Sequence, residues 1–530
     1  MSLADFVTGN RVVRSLADKV LVRFSHRRVE QLDAMNLAQA QERVLFRLLR
    51  RAQSTQFGND HHFSDIRSIH DYQQRVPARH YEDFWSQYWQ VKYPCLNNIT
   101  WPGPVPYYAL SSGTTSGTTK YIPISKEMLA SNRKAAFTTL AFHRHVYPDA
   151  ALFNGRVFFL SGNTAMPKQV DGSKPGDLSA IAAIEILGLM RPYTFPPLAL
   201  SRIANWEEKL QAIAIASAHL PITVLSGVPA WMLVLFDRLK TITGKKSIGE
   251  IWPSLRLVIH GGTKFDPYRE LFVKEIASPK VRFVEVYPCS EGFIATEDPR
   301  YNLLRIVPDH DIFFEFIPID EFNSNRTGLR TNHPVRHTLA TAEVGVEYAV
   351  VVTTCAGLWS YIVGDTIVFE NRLPPLIRFT GRTRYFLSAF GEHLISEEIE
   401  KAAQVAASAT GAEIQDHHVG PVFSQDPARP GNHRYLIEFR VPPHNLQDFA
   451  SRLDQTLSQI NEDYAAHRQG DVSMLMPEIV LVKLGGFNAW MEAHGKRPPQ
   501  HKLPRMDNSG SLTQSMYRWL LENNWISVRH

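Results

Sequence analysis

The stretch SSGTTSGTTK, residues 111–120, joins two apolar runs, Tyr107–Leu110 and Tyr121–Ile124. It holds seven hydroxyls, two glycines, a closing lysine and no apolar side chain. Short apolar runs bounded by such a polar stretch read as strands, so the chain is expected to carry a strand–loop–strand here. The two glycines let backbone N–H groups converge on an anion, the hydroxyls donate further hydrogen bonds, and Lys120 adds a point charge. That is phosphate-binding chemistry. The P-loop pattern does not fit, because only three residues separate Gly113 from Gly117, Lys120 follows three later, and the exit is a strand.

A chain of 530 residues exceeds what one hydrophobic core serves, which predicts at least two domains. Its formal charge of +5 gives no reason to expect nucleic acid and suits an anionic substrate. Three cysteines, Cys95, Cys289 and Cys355, cannot build a disulfide framework or a Cys-rich zinc site, which points to a reducing, cytoplasmic compartment. The N-terminus lacks a signal-peptide pattern. Leu210–Phe236 carries no Asp, Glu, Lys or Arg, yet Pro221, Gly227, Pro229 and His219 interrupt it. A buried helix–strand–helix passage is expected there rather than a membrane span, so no membrane partner is expected.

Elsewhere the periodicity predicts a helix over 30–54, with Leu37, Val44, Leu45, Leu48 and Leu49 on one face. Ser125 is expected to cap a helix running to Val146, with Glu127 in its first turn. Strands are expected within 255–263 and 281–292, then a meander over 346–370 with turns at Ala356–Gly357 and Gly364–Asp365. After that come a Ser396-capped helix ending at Gly411 and strands at 412–418 and 434–441. An amphipathic helix through Leu446, Phe449, Leu453, Leu457 and Ile460 and a strand in EIVLVKL complete the pattern. This alternation predicts a small α+β domain, with the boundary in RFTGRTRYF dividing 1–380 from 381–530.

Three further residue types suit a nucleotide. Asp365, after Gly364, offers a short carboxylate to the two hydroxyls of a ribose. Tyr287 in YPCSEG offers a ring to adenine, and Glu291 offers a hard oxygen to Mg²⁺. The adjacent pairs His61–His62 and His417–His418 read as structural, since neighbours on a strand point to opposite faces. Cys289 has no histidine or acid at a spacing that marks a nucleophile, and Arg47, Arg50 and Arg51 read as a solvated helix face.

In this order, SSGTTSGTTK, YPCSE (287–291) and YIVGD (361–365) resemble the adenylate-forming superfamily. Within it they resemble the Gretchen Hagen-type acyl acid amido synthetases, the auxin-responsive promoter family. RAQSTQFG with RVPARHYEDFW, LSGVPAW and QHKLPR extend the likeness from about residue 40 to 505. The segment GRTRYFLSAFGEHLISEEIE is closer to general adenylating enzymes and bacterial relatives.

The resemblance implies an α/β fold with a large N-terminal adenylate-forming domain, including β-sheets, helices and a β-barrel-like part, plus a small, mobile α+β C-terminal domain. It implies a ligase that uses ATP and Mg²⁺ to adenylate a carboxylic acid and then joins it to an amine. Ser112, Gly113, Thr114, Thr115, Ser116, Gly117 and Lys120 would cradle phosphates, and Tyr287 and Ser290 would hold adenine and neighbouring polar groups. Glu291 would hold the metal, Asp365 and Arg382 the ribose side, and Lys502 the reacting carboxylate and α-phosphate. An acyl-CoA ligase, or a non-catalytic nucleotide-binding relative, stands as the alternative.

Overall fold

The computed structural model describes residues 11–526 apart from 113–118, 163, 187, 263–264, 323–328, 332, 384–385, 388–389, 391, 393, 424–430, 462–463, 466–467, 469–473, 497–502 and 508–509. The helix expected over 30–54 is two helices, α1 (Arg11–Asp33) and α2 (Leu37–Ala52). The break falls at Asn36, whose side chain accepts the Gln39 N–H and so offers the chain a helix start in place of continuation. The five apolar residues expected on one face of this stretch are all buried along α2.

β1 (Tyr107–Ser112) and β2 (Thr119–Ile124) pair antiparallel, with Ser112 opposite Thr119 and Ser111 opposite Lys120. The first two and last two residues of the polar stretch are therefore paired across two antiparallel strands. Ser125 then caps α3 (Lys126–Val146) by accepting from the Met128 N–H, as its position predicts.

β3 (Arg156–Phe159), β4 (Lys174–Gly176), α4 (Leu178–Ile184) and β5 (Thr194–Phe195) follow. β4 joins β1 in parallel, which completes a three-stranded sheet. The uncharged run is the passage α5 (Trp206–Ser217), β6 (Ile222–Gly227) and α6 (Pro229–Thr243). Its proline opens α6, where the missing N–H costs nothing. Leu210, Leu225 and Phe236 from these elements share one buried cluster.

The chain continues through β7 (Leu257–Gly261), α7 (Asp266–Ile276), β8 (Arg282–Cys289), β9 (Gly292–Asp298), β10 (Leu303–Ile306), β11 (Ile312–Pro318) and β12 (His337–Thr338). β13 (Glu347–Thr354), β14 (Tyr361–Asn371) and β15 (Leu376–Arg382) complete a sheet of order β12-β11-β13-β14-β15-β10-β9-β8-β7-β6-β3-β5. Strands β5, β3, β6, β7 and β8 are parallel, and the pairs from β8 to β12 are antiparallel.

The turn expected at Gly364–Asp365 is absent. β14 runs straight through these residues because β13 holds one of its edges and β15 the other. The extra backbone is taken up in a bulge: Ala349 faces Thr366 but Val351 faces Ile362. Gly364 there has φ of +92°, a conformation that glycine adopts without a Cβ penalty.

Beyond β15, a short pair β16 (Phe386–Leu387) and β17 (Leu394–Ile395) leads to α8 (Ser396–Thr410), β18 (Glu413–Val422), β19 (Asn432–Val441), α9 (Leu446–Ile460) and β20 (Glu478–Val482). Ser396 is the first residue of α8 rather than its cap, and Gly411 closes it at φ +66°. The sheet β18-β19-β20 is covered on both faces. Ala402, Ile399, Leu453 and Leu457 of α8 and α9 pack on one face. Phe487 and Trp490 of α10 (Gly486–Ala493), with Met516 and Leu520 of α11 (Ser511–Glu522), pack on the other. Among the described residues, the core built on the large sheet ends in sequence at Ile377, and this second core begins at Leu387.

Candidate active site

β8 is the last parallel strand, and ligands in open α/β sheets bind beyond the carboxyl ends of such strands. Tyr287 lies near that end, and Ser290 and Glu291 form the tight turn into β9, where Cys289 pairs with Gly292. The Tyr287 hydroxyl donates to Asp365 Oδ2 at 2.6 Å. Asp365 is buried in the β14 bulge, and Arg382 lies opposite it on β15, with Nε 2.9 Å from Oδ1. Both carboxylate oxygens are thereby oriented. Burial, reinforced by the neighbouring Asp365 carboxylate, pushes the Tyr287 hydroxyl well above the usual tyrosine range. Phe379 meets the Tyr287 ring edge-on at 5.8 Å.

Glu291 is the contrasting carboxylate. It is 7% exposed and accepts a hydrogen bond from the Tyr361 hydroxyl at 3.1 Å. Burial raises its pKa and Asp365 raises it further, while Lys120 and the Tyr361 hydroxyl pull it down without cancelling the rise. A buried anion of this kind is stabilised by a bound cation. Among the described residues no group of three or more His, Cys, Asp and Glu is arranged to hold a metal. A single buried carboxylate fits Mg²⁺, an ion that commonly takes one or two protein carboxylates and fills its other positions with phosphate and water oxygens.

Lys120, half-buried on β2, has its Nζ 3.9 Å from Glu82 Oε1 and lies 5.4 Å from the centre of the Tyr81 ring. Lys120, Tyr287, Glu291, Asp365 and Arg382, expected from sequence to act together, thus converge from four strands and one turn. Ser112 ends β1, and Ser290 is half-exposed in its turn. Gly113, Thr114, Thr115, Ser116 and Gly117 lie outside the described residues, as does Lys502.

The segment after Lys502 is tied to β18. The Arg505 carbonyl accepts from the Val419 N–H at 2.8 Å, and the Arg505 guanidinium reaches Glu400 at 3.0 Å and Asp416 at 3.4 Å. His418 meets the Pro504 carbonyl through Nδ1 at 2.5 Å and Thr513 Oγ1 through Nε2 at 2.8 Å, so its role here is structural. Cys289 donates to the Gly292 carbonyl at 3.1 Å, and burial pushes its thiol well up, which suits a structural residue and not a nucleophile.

Residues outside the sequence reading also touch this site. Tyr361 orients Glu291, although only its place at the start of YIVGD marks it in the sequence. Tyr81 and Glu82, inside RVPARHYEDFW, flank Lys120. Apart from that site, Lys209 of α5 is buried near the carboxyl end of β3, where it donates to the Ser161 and Gly162 carbonyls at 3.0 and 2.6 Å. Burial lowers its pKa to about 8.

Indole-3-acetic acid-amido synthetase GH3.8 of Oryza sativa subsp. indica is 24% identical over 404 residues, which are 69% of this chain and 62% of that protein. Jasmonoyl--L-amino acid synthetase JAR6 of Nicotiana attenuata is 24% identical over 485 residues, 77% of this chain and 80% of that protein. The match to the first of these therefore spans less than two thirds of its length. Among solved structures, GH3.15 acyl acid amido synthetase superposes with a TM-score of 0.73 at 18% identity, covering 94% of this chain and 96% of that one. The 2-hydroxyisobutyryl-CoA ligase in complex with 2-HIB-AMP superposes with a TM-score of 0.55 at 12% identity, covering 93% and 94%. At these identities the likeness establishes the fold alone, an α/β architecture with a separate C-terminal domain. The GH3 family N-terminal domain matches residues 27–183, its central domain 305–382 and its C-terminal domain 397–511. With all three found in order along one sequence, this chain belongs to the GH3 family.

Proposed function

We propose that this protein is an ATP-dependent acyl acid–amine ligase that adenylates a carboxylic acid and transfers the acyl group to an amino acid. The observation that carries the reading is the convergence of Lys120, Tyr287, Glu291, Asp365 and Arg382 at the carboxyl end of β8. Family membership and the amide-forming activities in the relatives' names support it.

In this reading Asp365, held by Tyr287 and Arg382, keeps lone pairs free for the ribose hydroxyls, and the Tyr287 ring flanks the base. The polar stretch, Lys120 included, holds the phosphates. Glu291 would hold Mg²⁺, which supplies positive charge to the phosphate oxygens when bound. A carboxylate oxygen of the acid attacks the α-phosphorus, the bond to the bridging oxygen breaks, and pyrophosphate leaves. Two anions meet in that step, so Lys120 and Lys502 lower its barrier by screening developing charge. The amine nitrogen then attacks the acyl carbonyl, AMP leaves, and the nitrogen loses its proton. Residues 381–530 form the mobile domain that presents Lys502 in the first step and withdraws it in the second. Three free cysteines suit a reducing, cytoplasmic compartment, and no helix among the described residues is long and apolar enough to cross a membrane.

The direct test is ATP–pyrophosphate exchange across a panel of carboxylic acids. Exchange that depends on the acid and on Mg²⁺ is expected. A protein that binds ATP yet exchanges pyrophosphate with no acid contradicts the reading.

A further inference from the structure

α1 is apolar on both sides. It buries Leu21, Val29 and Leu32, yet Leu16, Val20 and Phe24, spaced four apart on the opposite face, are 56, 68 and 43% exposed. A surface helix ordinarily keeps that outer face polar. Lys19, Arg23 and Arg27 share the exposed face, and none of the three forms an ion pair among the described residues. Glu30 adds a single acid at its far end. Apolar and cationic side chains thus alternate along about 17 Å of one helix face. The GH3 N-terminal domain match begins only at residue 27, so all of the stripe but Arg27 lies ahead of the part of the chain matched to that domain.

We propose that this face of α1 docks on an anionic lipid surface, to which the protein adsorbs without crossing it. Leu16, Val20 and Phe24 would enter the headgroup–acyl boundary, while Lys19, Arg23 and Arg27 meet lipid phosphates. The chain's net charge of +5 acts in the same direction. A second copy of the chain is the poorer occupant. A two-fold interface would set the three cations against their own copies. The proposal is independent of the ligase chemistry.

Co-sedimentation of the full chain with phosphatidylcholine vesicles, with and without phosphatidylglycerol, tests it. Salt-sensitive binding to the anionic vesicles alone is expected. Reversing Lys19→Glu, Arg23→Glu and Arg27→Glu together should weaken it by at least about a hundredfold. Leu16→Ser, Val20→Ser and Phe24→Ser together should also weaken it, with melting temperature and pyrophosphate exchange unchanged, since all six side chains face solvent. Three outcomes overturn the proposal. One is absent or equal binding to both vesicle types. Another is a solution dimer that the serine variants dissolve. The third is binding that appears only once residues 1–10 are removed, which would make the chain's own N-terminus the occupant.

Discussion

Asp365 and Glu291 are buried carboxylates with different surroundings, and that difference sets what each can do. Asp365 has a cation at 2.9 Å and a hydroxyl at 2.6 Å, so its charge is compensated and its orientation fixed. Among the described residues Glu291 has the Tyr361 hydroxyl in contact and the Lys120 charge nearby, an environment that a bound cation would complete. Asp365→Ala and Lys120→Ala are each expected to lower pyrophosphate exchange by about 100-fold or more, the scale of losing one charged contact to a transition state. Circular dichroism should show both variants folded, and near-normal exchange in a folded Asp365→Ala protein would remove Asp365 from the site. For Glu291→Gln, a titration of exchange against Mg²⁺ should shift to higher metal concentration, while an unchanged titration would mean the ion is held elsewhere. Asp365, Glu291 and Tyr287 were legible because each sits inside a short motif. The Tyr361–Glu291 contact was not, since it joins residues 70 apart and depends on how β14 lies beside the β8–β9 turn.

At the scale of elements, Gly364 shows how local chemistry and sheet context compete. A Gly-Asp pair favours a turn, yet strands on both sides of β14 leave it no room to reverse, so the pair becomes a bulge that aims Asp365 at Tyr287. An added Cβ would come no closer than 3.8 Å to a neighbour, at Thr383 Oγ1, so the cost of Gly364→Ala is conformational rather than steric. That substitution is expected to destabilise the protein by ~1–2 kcal/mol and to lower exchange by displacing Asp365. A thermal melt and an exchange assay that both match the parent protein would contradict this. The α5–β6–α6 passage was readable because its prolines and glycine punctuate it. The break at Asn36 escaped the periodicity because the apolar residues that mark that helix, Leu37 to Leu49, all lie beyond it.

At the scale of the whole molecule, buried imidazoles lower stability as the pH falls. Burial holds His143 near a pKa of about 4, and His260, His310 and His417 near about 3. In the unfolded chain each titrates near 6.5, so below that pH the unfolded state binds more protons and stability falls until the folded-state values are reached. Each histidine is expected to cost ~2 kcal/mol at pH 5. Melting temperatures at pH 7.5 and pH 5 should therefore differ strongly, and equal values would contradict the burial of these rings. The division into a large α/β part and a smaller α+β part could be read from the change in periodicity. The joining of parallel and antiparallel strands into a single sheet could not, because strand order rests on contacts between residues far apart in sequence. The central claim is that acyl transfer goes to an amine. Mass spectrometry of the products formed from ATP, Mg²⁺ and a competent acid, with amino acids and CoA supplied together, tests it most directly. The expected product is the acyl amide, with AMP and pyrophosphate; a thioester as the dominant product, with no amide from any amine supplied, would contradict the claim.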